Sequence, residues 1–182
     1  TQFATVWDFR NKKKFSLDGG FLLPDKILLD PQLTLTLPRD ITLFPGLDAT
    51  SHALESIWNK NADRASNEIA YEALSLISKS LPQVLKRPSD LEARSSMQIA
   101  SLLAGISINR TRSAIAHSIS YPLTSRYSVP HGIACSFTLP YLIDLVRSLN
   151  TKFFQKDNII SNIKNMLVNM DLKKEILRFA DI

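Results

Sequence analysis

An aspartate and a histidine lie four residues apart in an apolar, helix-forming segment, GLDATSHALES, at positions 46–56. Burying a carboxylate or an imidazole without a partner is costly, so a fold with this segment in its core must satisfy Asp48 and His52. Residues i and i+4 lie one turn apart on the same helix face, where a single bound atom can contact both side chains. The pair therefore has the spacing of metal ligands.

The hydrophobic pattern changes near Leu37. Before it, the segment TQFATVWD alternates and is rich in β-branched and aromatic residues, RNKKK and Gly19-Gly20 mark turns, and DKILLDP is predicted as a short apolar strand. After it, apolar residues recur with helical spacing. The predicted helix starts are Pro45–Gly46, Ser66 or Asn67, and the Ser89-Asp90 pair.

These patterns predict a mainly α protein in two parts. Residues 1–37 form a few β-strands without a sheet to join, and residues 38–182 form a helical domain. Because residue 1 already lies within a strand pattern and is not a methionine, we expect the chain to be a fragment with its partner strands upstream. The C-terminal end of the helical domain is also expected to be incomplete.

Composition narrows the functional classes. A hydrophobic fraction of 45% with 21% charged residues is typical of a globular protein. The net charge of +5 is diffuse, and its one dense run, RNKKK, has no interleaved aromatic residues, which argues against nucleic-acid binding. The apolar runs are short and interrupted, no signal segment opens the chain, and the single Cys135 excludes an internal disulfide. We therefore expect a cytoplasmic protein without a membrane partner, in which Cys135 serves packing.

The chain has only three histidines, His52, His117 and His131, and each is flanked by apolar or small residues. Together with Asp48 they supply a complete four-coordinate donor set for Zn²⁺ or Fe²⁺. If the four side chains converge on one ion, each gains a partner that offsets the cost of burying it. Only Asp48 and His52 are a local pair, so the spacing alone leaves the convergence open.

The segments GLDATSHALES, AHSISYPL and VPHG resemble the three signature stretches of the iron-dependent (group III) alcohol dehydrogenases, and DPQLTLTLP is also typical of them. Those stretches usually read G-x-D-A-x-x-H-x-x-E, H-x-x-x-H-P-x-G and P-H-G. The resemblance runs from Thr1 to about Leu145 and implies a dehydroquinate-synthase-like fold. This chain would then be the C-terminal helical metal-binding domain, with trailing strands of an N-terminal α/β nucleotide domain. The implied metal ligands are Asp48, His52, His117 and His131.

The implied chemistry is hydride transfer between NAD(P)H and the carbon of a small aldehyde or alcohol, with Fe²⁺ or Zn²⁺ as Lewis acid. The resemblance implies cofactor contacts at Thr1, Phe3 and Lys14, although Lys14 is equally well read as a turn lysine. The glycine-rich phosphate loops of the family would lie upstream of Thr1, so we expect no turnover by these 182 residues alone. A homodimer is compatible with the resemblance.

The chain departs from the family pattern at Tyr121, which replaces the second histidine of H-x-x-x-H-P. The resemblance implies a catalytic position for Tyr121, near the substrate and in the proton path. A phenol can donate a hydrogen bond, but its reference pKa of about 10 makes it a poorer base near neutrality.

The segment NRTRSAIAHSISYPLTSRYSVPHG most resembles the phosphonoacetaldehyde reductase (2-hydroxyethylphosphonate dehydrogenase) branch of the family. Guanidinium groups suit the oxygens of a phosphonate, which makes Arg110, Arg112 and Arg126 candidate substrate residues. Surface arginine remains the alternative for each. Simple short-chain aldehydes or diols are an alternative substrate class. A non-enzymatic helical module with a structural metal and a lyase on the same fold also stay open.

Overall fold

The computed structural model describes residues 1–8, 10–11, 13–149 and 154–179, with the exception of the side chains of Trp7 and Lys14. Strands β1 (Phe3–Asp8) and β2 (Lys13–Asp18) form an antiparallel hairpin with Phe3 opposite Asp18. Two short 3₁₀ turns, Gly20–Leu22 and Pro31–Thr34, follow the hairpin and lead into the helices.

The described residues also form eight α-helices. They are α1 (Arg39–Trp58), α2 (Arg64–Lys86), α3 (Leu91–Thr111), α4 (Ile115–Tyr127), α5 (His131–Ser136), α6 (Leu139–Leu149), α7 (Asp157–Asn169) and α8 (Leu172–Leu177). Helices α2, α3 and α5 all pack against α1, which therefore runs through the centre of the helical domain. The mainly α class predicted from the sequence is confirmed.

Helix α1 begins earlier than predicted, at Arg39, so that Pro45 lies inside the helix instead of at its start. A proline in a helix removes one backbone hydrogen bond. Here Leu43 and Leu47 on either side of it are fully buried, and this packing favours the helical conformation over the local break. The segment DKILLD, predicted as a strand, forms neither strand nor helix.

The caps of the next two helices are aspartates. The Asp63 carboxylate accepts a hydrogen bond from Ser66 N at 2.6 Å, and Ser66 Oγ accepts one from Asp63 N at 2.9 Å. This reciprocal capping box starts α2 at Arg64, so the cap is Asp63 and not Ser66 or Asn67 as predicted. The start predicted for α3 is confirmed, because Asp90 accepts from Ala93 N at 3.0 Å.

The hairpin lies over the C-terminal end of α3. Gln2 N donates to Asn109 Oδ1 at 2.6 Å, and Arg112 Nη1 lies 2.6 Å from Asp18 Oδ2. The guanidinium carbon of Arg112 lies 5.2 Å from the centre of the Phe3 ring, within the range of a cation–π contact. These contacts hold the hairpin against the C-terminal end of α3.

Helices α5 and α1 approach very closely at Gly132. A Cβ atom at this position would lie 1.9 Å from the carbonyl oxygen of Phe44, so any larger residue would force the two helices apart. Ser136, one turn further along α5, donates to the carbonyl of Leu47 at 3.0 Å. This contact fixes α5, and with it His131, against α1.

The segment His131–Leu149 has the length and apolar composition of a helix that could cross a membrane. In the fold it comprises two helices, α5 and α6, separated at Phe137 and Thr138. Leu139 and Ile143 are fully buried in the core, so the apolar composition reflects packing inside the helical domain.

Candidate metal centre

Four side chains from three helices meet at one point. Asp48 and His52 lie on α1, His117 lies on α4, and His131 is the first residue of α5. The Nε2 atoms of His52, His117 and His131 lie 3.7, 3.5 and 3.7 Å, respectively, from Asp48 Oδ1. The structure thus brings together all four of the residues that were expected to converge.

The arrangement has the spacing of a metal site. When metal–ligand distances are about 2.0–2.3 Å, the donors of a tetrahedral site lie roughly 3.3–3.8 Å apart. Asp48 Oδ1 and His117 Nε2 are both buried, and neither makes a hydrogen bond. Two such atoms facing each other would be costly without a third group between them. A divalent cation satisfies both, so the residues present fit a metal ion.

The three imidazole rings differ in exposure. The side chain of His117 is only 6% exposed, whereas those of His52 and His131 are 27% and 37% exposed. The ring of His117 stacks on that of His52 with centroids 4.9 Å apart and meets that of His131 edge to face at 5.4 Å. His117 is therefore the innermost histidine, and the other two face the open side of the centre.

Glu55, which was not predicted from the sequence, contacts one of the metal candidates. Its carboxylate is fully buried, and its Oε2 lies 2.5 Å from Nδ1 of His117. The same carboxylate accepts hydrogen bonds from three backbone N–H groups at the start of α4, those of Ala114, Ala116 and His117, at 3.0, 2.6 and 3.3 Å. Glu55 therefore caps α4 and orients the ring of His117, leaving Nε2 to face Asp48.

A signal for Glu55 was present in the sequence. Ala114, the residue before α4, has no side chain able to cap the helix. Glu55 follows Asp48 by two helical turns, so both carboxylates lie on one face of α1. A second acid on the face that carries the Asp48–His52 pair indicates a supporting contact to the site.

The charges of the cluster shift its pKa values. Burial alone would raise the pKa of Asp48, but the neighbouring imidazoles of His52, His117 and His131 hold it below the usual range. Burial would lower the pKa of His117, but its contacts to Asp48, Cys135 and Glu55 raise it to about 12. The pKa of His52 is lowered, chiefly by burial.

Cys135 also belongs to this cluster. Its Sγ atom lies 3.5 Å from Nε2 and 3.7 Å from Nδ1 of His131, which is one turn earlier on α5. Burial would raise the pKa of the thiol, but the contacts with His117 and His131 lower it. Cys135 is fully buried, as a packing residue would be, but it also contacts the His131 imidazole, which the expected packing role did not include. The spacing of His131 and Cys135, the same as that of Asp48 and His52, was the available signal.

A cavity of about 610 Å³ opens onto the centre, between the hairpin and the ends of α3 and α4. Asp48 and the three histidines line it, together with Thr1 and with Phe3 of the hairpin. Tyr121, half-buried and one turn after His117 on α4, also lines it. These three residues, predicted as cofactor or catalytic residues, thus lie beside the metal candidates.

Only one of the three candidate substrate arginines lines this cavity. Arg112 does so, whereas Arg110 forms an exposed ion pair with Asp63 at 2.6 Å outside the cavity lining. Arg126, in the last turn of α4, is exposed and also lies outside that lining. The side chain of Lys14, predicted as a cofactor contact, lies outside the described residues.

The backbone holds Arg112 in a conformation that few residues other than glycine adopt, with φ at 71° and ψ at 169°. Its N–H donates to the carbonyl of Ile108 at 2.7 Å, and its carbonyl accepts from Asn59 Nδ2 at 2.9 Å. These two contacts maintain the strained turn. Beyond this turn the Arg112 side chain reaches Asp18 of the hairpin, whereas the Arg110 side chain, still within α3, reaches Asp63.

Residues 42–180 match the family model described as the C-terminal part of the Fe-containing alcohol dehydrogenase family. The matched segment includes Asp48, His52, Glu55, His117 and His131.

Among curated proteins, the chain is 36% identical over 132 residues to long-chain-alcohol dehydrogenase 1 of Geobacillus thermodenitrificans, covering 72% of this chain and 33% of the relative. It is 34% identical over 143 residues to phosphonoacetaldehyde reductase of Streptomyces viridochromogenes, covering 79% of this chain and 36% of the relative. The chain thus spans about a third of the length of these two relatives.

Among solved structures, the chain resembles sulfoacetaldehyde reductase from Bifidobacterium kashiwanohense in complex with NAD⁺. The TM-score is 0.81 at 29% identity, and the match covers 97% of this chain and 48% of the other.

Proposed function

The chain belongs to the Fe-containing alcohol dehydrogenase family, and on that premise we propose that the protein is a metal-dependent, NAD(P)-linked alcohol dehydrogenase that works as an aldehyde reductase. The observation that carries this proposal is the convergence of three imidazole Nε2 atoms on Asp48 Oδ1 in the lining of an open cavity. A purely structural metal is normally enclosed by its ligands. Here two of the imidazoles face a space large enough for a substrate.

Asp48, His52, His117 and His131 would hold a divalent metal, Fe²⁺ or Zn²⁺. When bound, the metal supplies Lewis-acid polarisation of a carbonyl oxygen, and the nicotinamide supplies the hydride. The single carboxylate of Asp48 lowers the net charge of the site, and Glu55 keeps the ring of His117 in one orientation. The cavity side of His52 and His131 leaves room for the substrate.

The hairpin supplies the cofactor side of the cavity in this proposal. Residues 1–37 would belong to the nucleotide-binding part of the protein, and residues 38–182 to the helical metal-binding part. Thr1 and Phe3 line the same cavity as the three histidines, so a nicotinamide ring that contacts them would lie near the metal candidates. The related sulfoacetaldehyde reductase was solved with NAD⁺, which supports this assignment.

Tyr121 is the proposed proton donor. Reduction of an aldehyde needs a proton at the carbonyl oxygen, and the Tyr121 phenol lies on the same helix face as His117 and borders the same cavity. Its phenolic O–H can donate a hydrogen bond to the substrate oxygen.

Arg112 is the proposed specificity residue, and it favours an aldehyde that carries an anionic group. Its guanidinium lines the cavity, and the strained backbone at φ 71° fixes its direction. Phosphonoacetaldehyde is the proposed substrate, with 2-hydroxyethylphosphonate as its product. Two relatives named for reductases of anionic aldehydes, phosphonoacetaldehyde and sulfoacetaldehyde, support this choice.

An uncharged alcohol or aldehyde is the second candidate. Asp18 already pairs with Arg112 at 2.6 Å, which reduces its attraction for an anion. Phe3, Leu17 and Ile108 add apolar surface to the cavity. The relative named as a long-chain-alcohol dehydrogenase supports this reading.

Steady-state kinetics of the whole protein with the variants Arg112→Gln and Arg110→Gln tests the substrate proposal. Both arginines form ion pairs with an aspartate, but only Arg112 lines the cavity. Arg112→Gln should lower kcat/KM for phosphonoacetaldehyde roughly 30- to 900-fold more than kcat/KM for an uncharged aldehyde. This factor corresponds to a loss of about 2–4 kcal/mol in transition-state stabilisation. Arg110→Gln should leave kcat/KM unchanged for both substrates.

Equal losses on both aldehydes in Arg112→Gln would assign the residue a structural role and favour the uncharged substrate. The absence of NAD(P)H-dependent reduction with any aldehyde would contradict the dehydrogenase proposal itself.

A further inference from the structure

Asp18, the last residue of β2, lines the cavity together with Arg112. Apart from Asp48 and the three histidines, these two are the charged side chains among the described residues of the cavity lining. Arg112 Nη1 lies 2.6 Å from Asp18 Oδ2. The carboxylate therefore neutralises the guanidinium that the cavity offers to a substrate.

The ion pair is accessible to a ligand. The side chain of Arg112 is 58% exposed and that of Asp18 is 38% exposed. An exposed pair of this kind contributes little free energy, because water solvates both charges when the pair opens. A guanidinium also has five N–H donors, so it can contact more than one oxygen group. The anionic end of a substrate can therefore bind Arg112 at the expense of its pair with Asp18.

The backbone of Asp18 is held in place by the hairpin. Asp18 lies opposite Phe3 in the strand pairing, and the N–H of the next residue, Gly19, donates to the carbonyl of Gln2 at 3.0 Å. Gln2 N in turn donates to Asn109 Oδ1 on α3 at 2.6 Å. The carboxylate thus stays near Arg112 when an anion binds there, and the repulsion between the two negative charges weakens that binding.

We propose that Asp18 is a specificity-determining residue of the cavity, whose carboxylate limits the preference for an anionic aldehyde over an uncharged one. An uncharged aldehyde does not compete with Asp18 for the guanidinium, so the charge of Asp18 acts on one substrate class and not on the other. The inference rests on the proposed function and concerns the specificity of the same site.

Steady-state kinetics of the whole, metal-loaded protein tests the role of Asp18. Asp18→Asn keeps the size of the side chain and removes its charge. The ratio of kcat/KM for phosphonoacetaldehyde to kcat/KM for propanal should rise about 3- to 10-fold, the opposite direction from Arg112→Gln. Asp18→Glu retains the charge and should keep the ratio near the wild-type value.

Asp63→Asn is the matched control. It removes the acid of another exposed ion pair of 2.6 Å, formed with Arg110 outside the cavity lining. The ratio for this variant should equal that of the wild type. If Asp18→Asn fails to fold, Asp18→Ser removes the same charge with a smaller side chain and should raise the ratio likewise.

Binding of methylphosphonate, measured by isothermal titration calorimetry, gives a readout that does not depend on catalysis. This probe carries the anionic group but no carbonyl. Asp18→Asn should bind it about 3- to 10-fold more tightly than the wild type, and Arg112→Gln should bind it more weakly.

A ratio of kcat/KM values that is unchanged or lower in Asp18→Asn would overturn the inference and leave the dehydrogenase proposal standing. If the wild type reduces no aldehyde, the dehydrogenase proposal fails and the methylphosphonate titration decides the role of Asp18. Tighter binding by Asp18→Asn would then support that role, and equal binding would overturn it.

Discussion

Glu55 Oε2 lies 2.5 Å from Nδ1 of His117, so a carboxylate on α1 holds the imidazole that α4 contributes to the centre. The same carboxylate caps the first turn of α4 through its backbone N–H groups. One buried acid thus fixes both the position of the helix and the orientation of the ring. The metal candidates on α1 and α4 are coupled through it.

Replacing Glu55 should weaken metal binding without removing a ligand. Glu55→Gln keeps the size of the side chain but loses its charge and one acceptor oxygen, so the His117 ring is less firmly oriented. We expect the metal dissociation constant to rise about 10- to 100-fold in competition with a chelator. Glu68→Gln, which removes an exposed acid paired with Lys156, is the control and should bind as the wild type does. Equal affinities for all three proteins would refute the positioning role.

Gly132 should be intolerant of even a methyl group. Gly132→Ala puts a Cβ atom 1.9 Å from the Phe44 carbonyl oxygen, so α5 must move and carry His131 with it. We expect a loss of about 1–3 kcal/mol in the free energy of unfolding, measured by urea denaturation. Gly105→Ala is the matched control, because its Cβ would make only an ordinary contact of 3.6 Å with Thr1. That variant should gain up to about 1 kcal/mol from helix propensity. Similar stability changes in both variants would contradict the close approach.

The Asp63 carboxylate, which caps α2, should make the free energy of unfolding depend on pH in the acid range. The backbone hydrogen bond from Ser66, followed by the pairing with Arg110, lowers the pKa of Asp63 to about 2. A lowered folded-state pKa gives stability that is complete above the unfolded pKa of about 3.9 and is lost as the pH falls towards 2. The stability difference between wild type and Asp63→Asn should therefore be constant above about pH 5 and shrink below pH 4.

Urea denaturation at a series of pH values measures this difference. Asp25→Asn, in the exposed loop after the hairpin, serves as the control and should match the wild type throughout. A difference for Asp63→Asn that persists unchanged to pH 2 would exclude the charge of Asp63 as its cause.

Tyr121 should affect kcat through proton transfer. Tyr121→Phe removes the proposed donor and should lower kcat of the whole protein by about 100-fold or more. Tyr121→His, which restores the histidine of the family pattern, should retain activity because an imidazole can also donate a proton. Tyr127→Phe, on the same helix but outside the cavity lining, should be unaffected. Full kcat in Tyr121→Phe would exclude Tyr121 from the proton path.

The local pattern predicted much of the fold and site correctly. Helical spacing after Leu37 agrees with the start of α1 at Arg39, although the last strand already ends at Asp18. The i, i+4 pair Asp48 and His52 lies at the centre as expected. The start of α3 followed from Asp90, since capping is a local interaction. Such features depend on residues within one or two turns of each other, so a single sequence contains them.

The parts that the sequence did not predict depend on contacts between distant segments. Pro45 is retained inside α1 because the helix is buried by its neighbours, a stabilisation that no local pattern encodes. Glu55 acts on α4 only once the two helices have packed together. Arg110 and Arg112 are nearly adjacent, yet the positive φ of Arg112 sends only one of them to the cavity. Cys135 became a member of the cluster only when α5 packed against α1.

Iron content is the most direct test of the account, because every functional assignment depends on a metal at Asp48 and the three histidines. After anaerobic loading with Fe²⁺ and removal of free metal, the wild type should retain about one ion per chain. His52→Ala and His131→Ala should each retain only a small fraction of it, whereas Glu68→Gln should match the wild type. Iron bound equally by the wild type and both histidine variants would contradict the account, because the metal would then lie elsewhere.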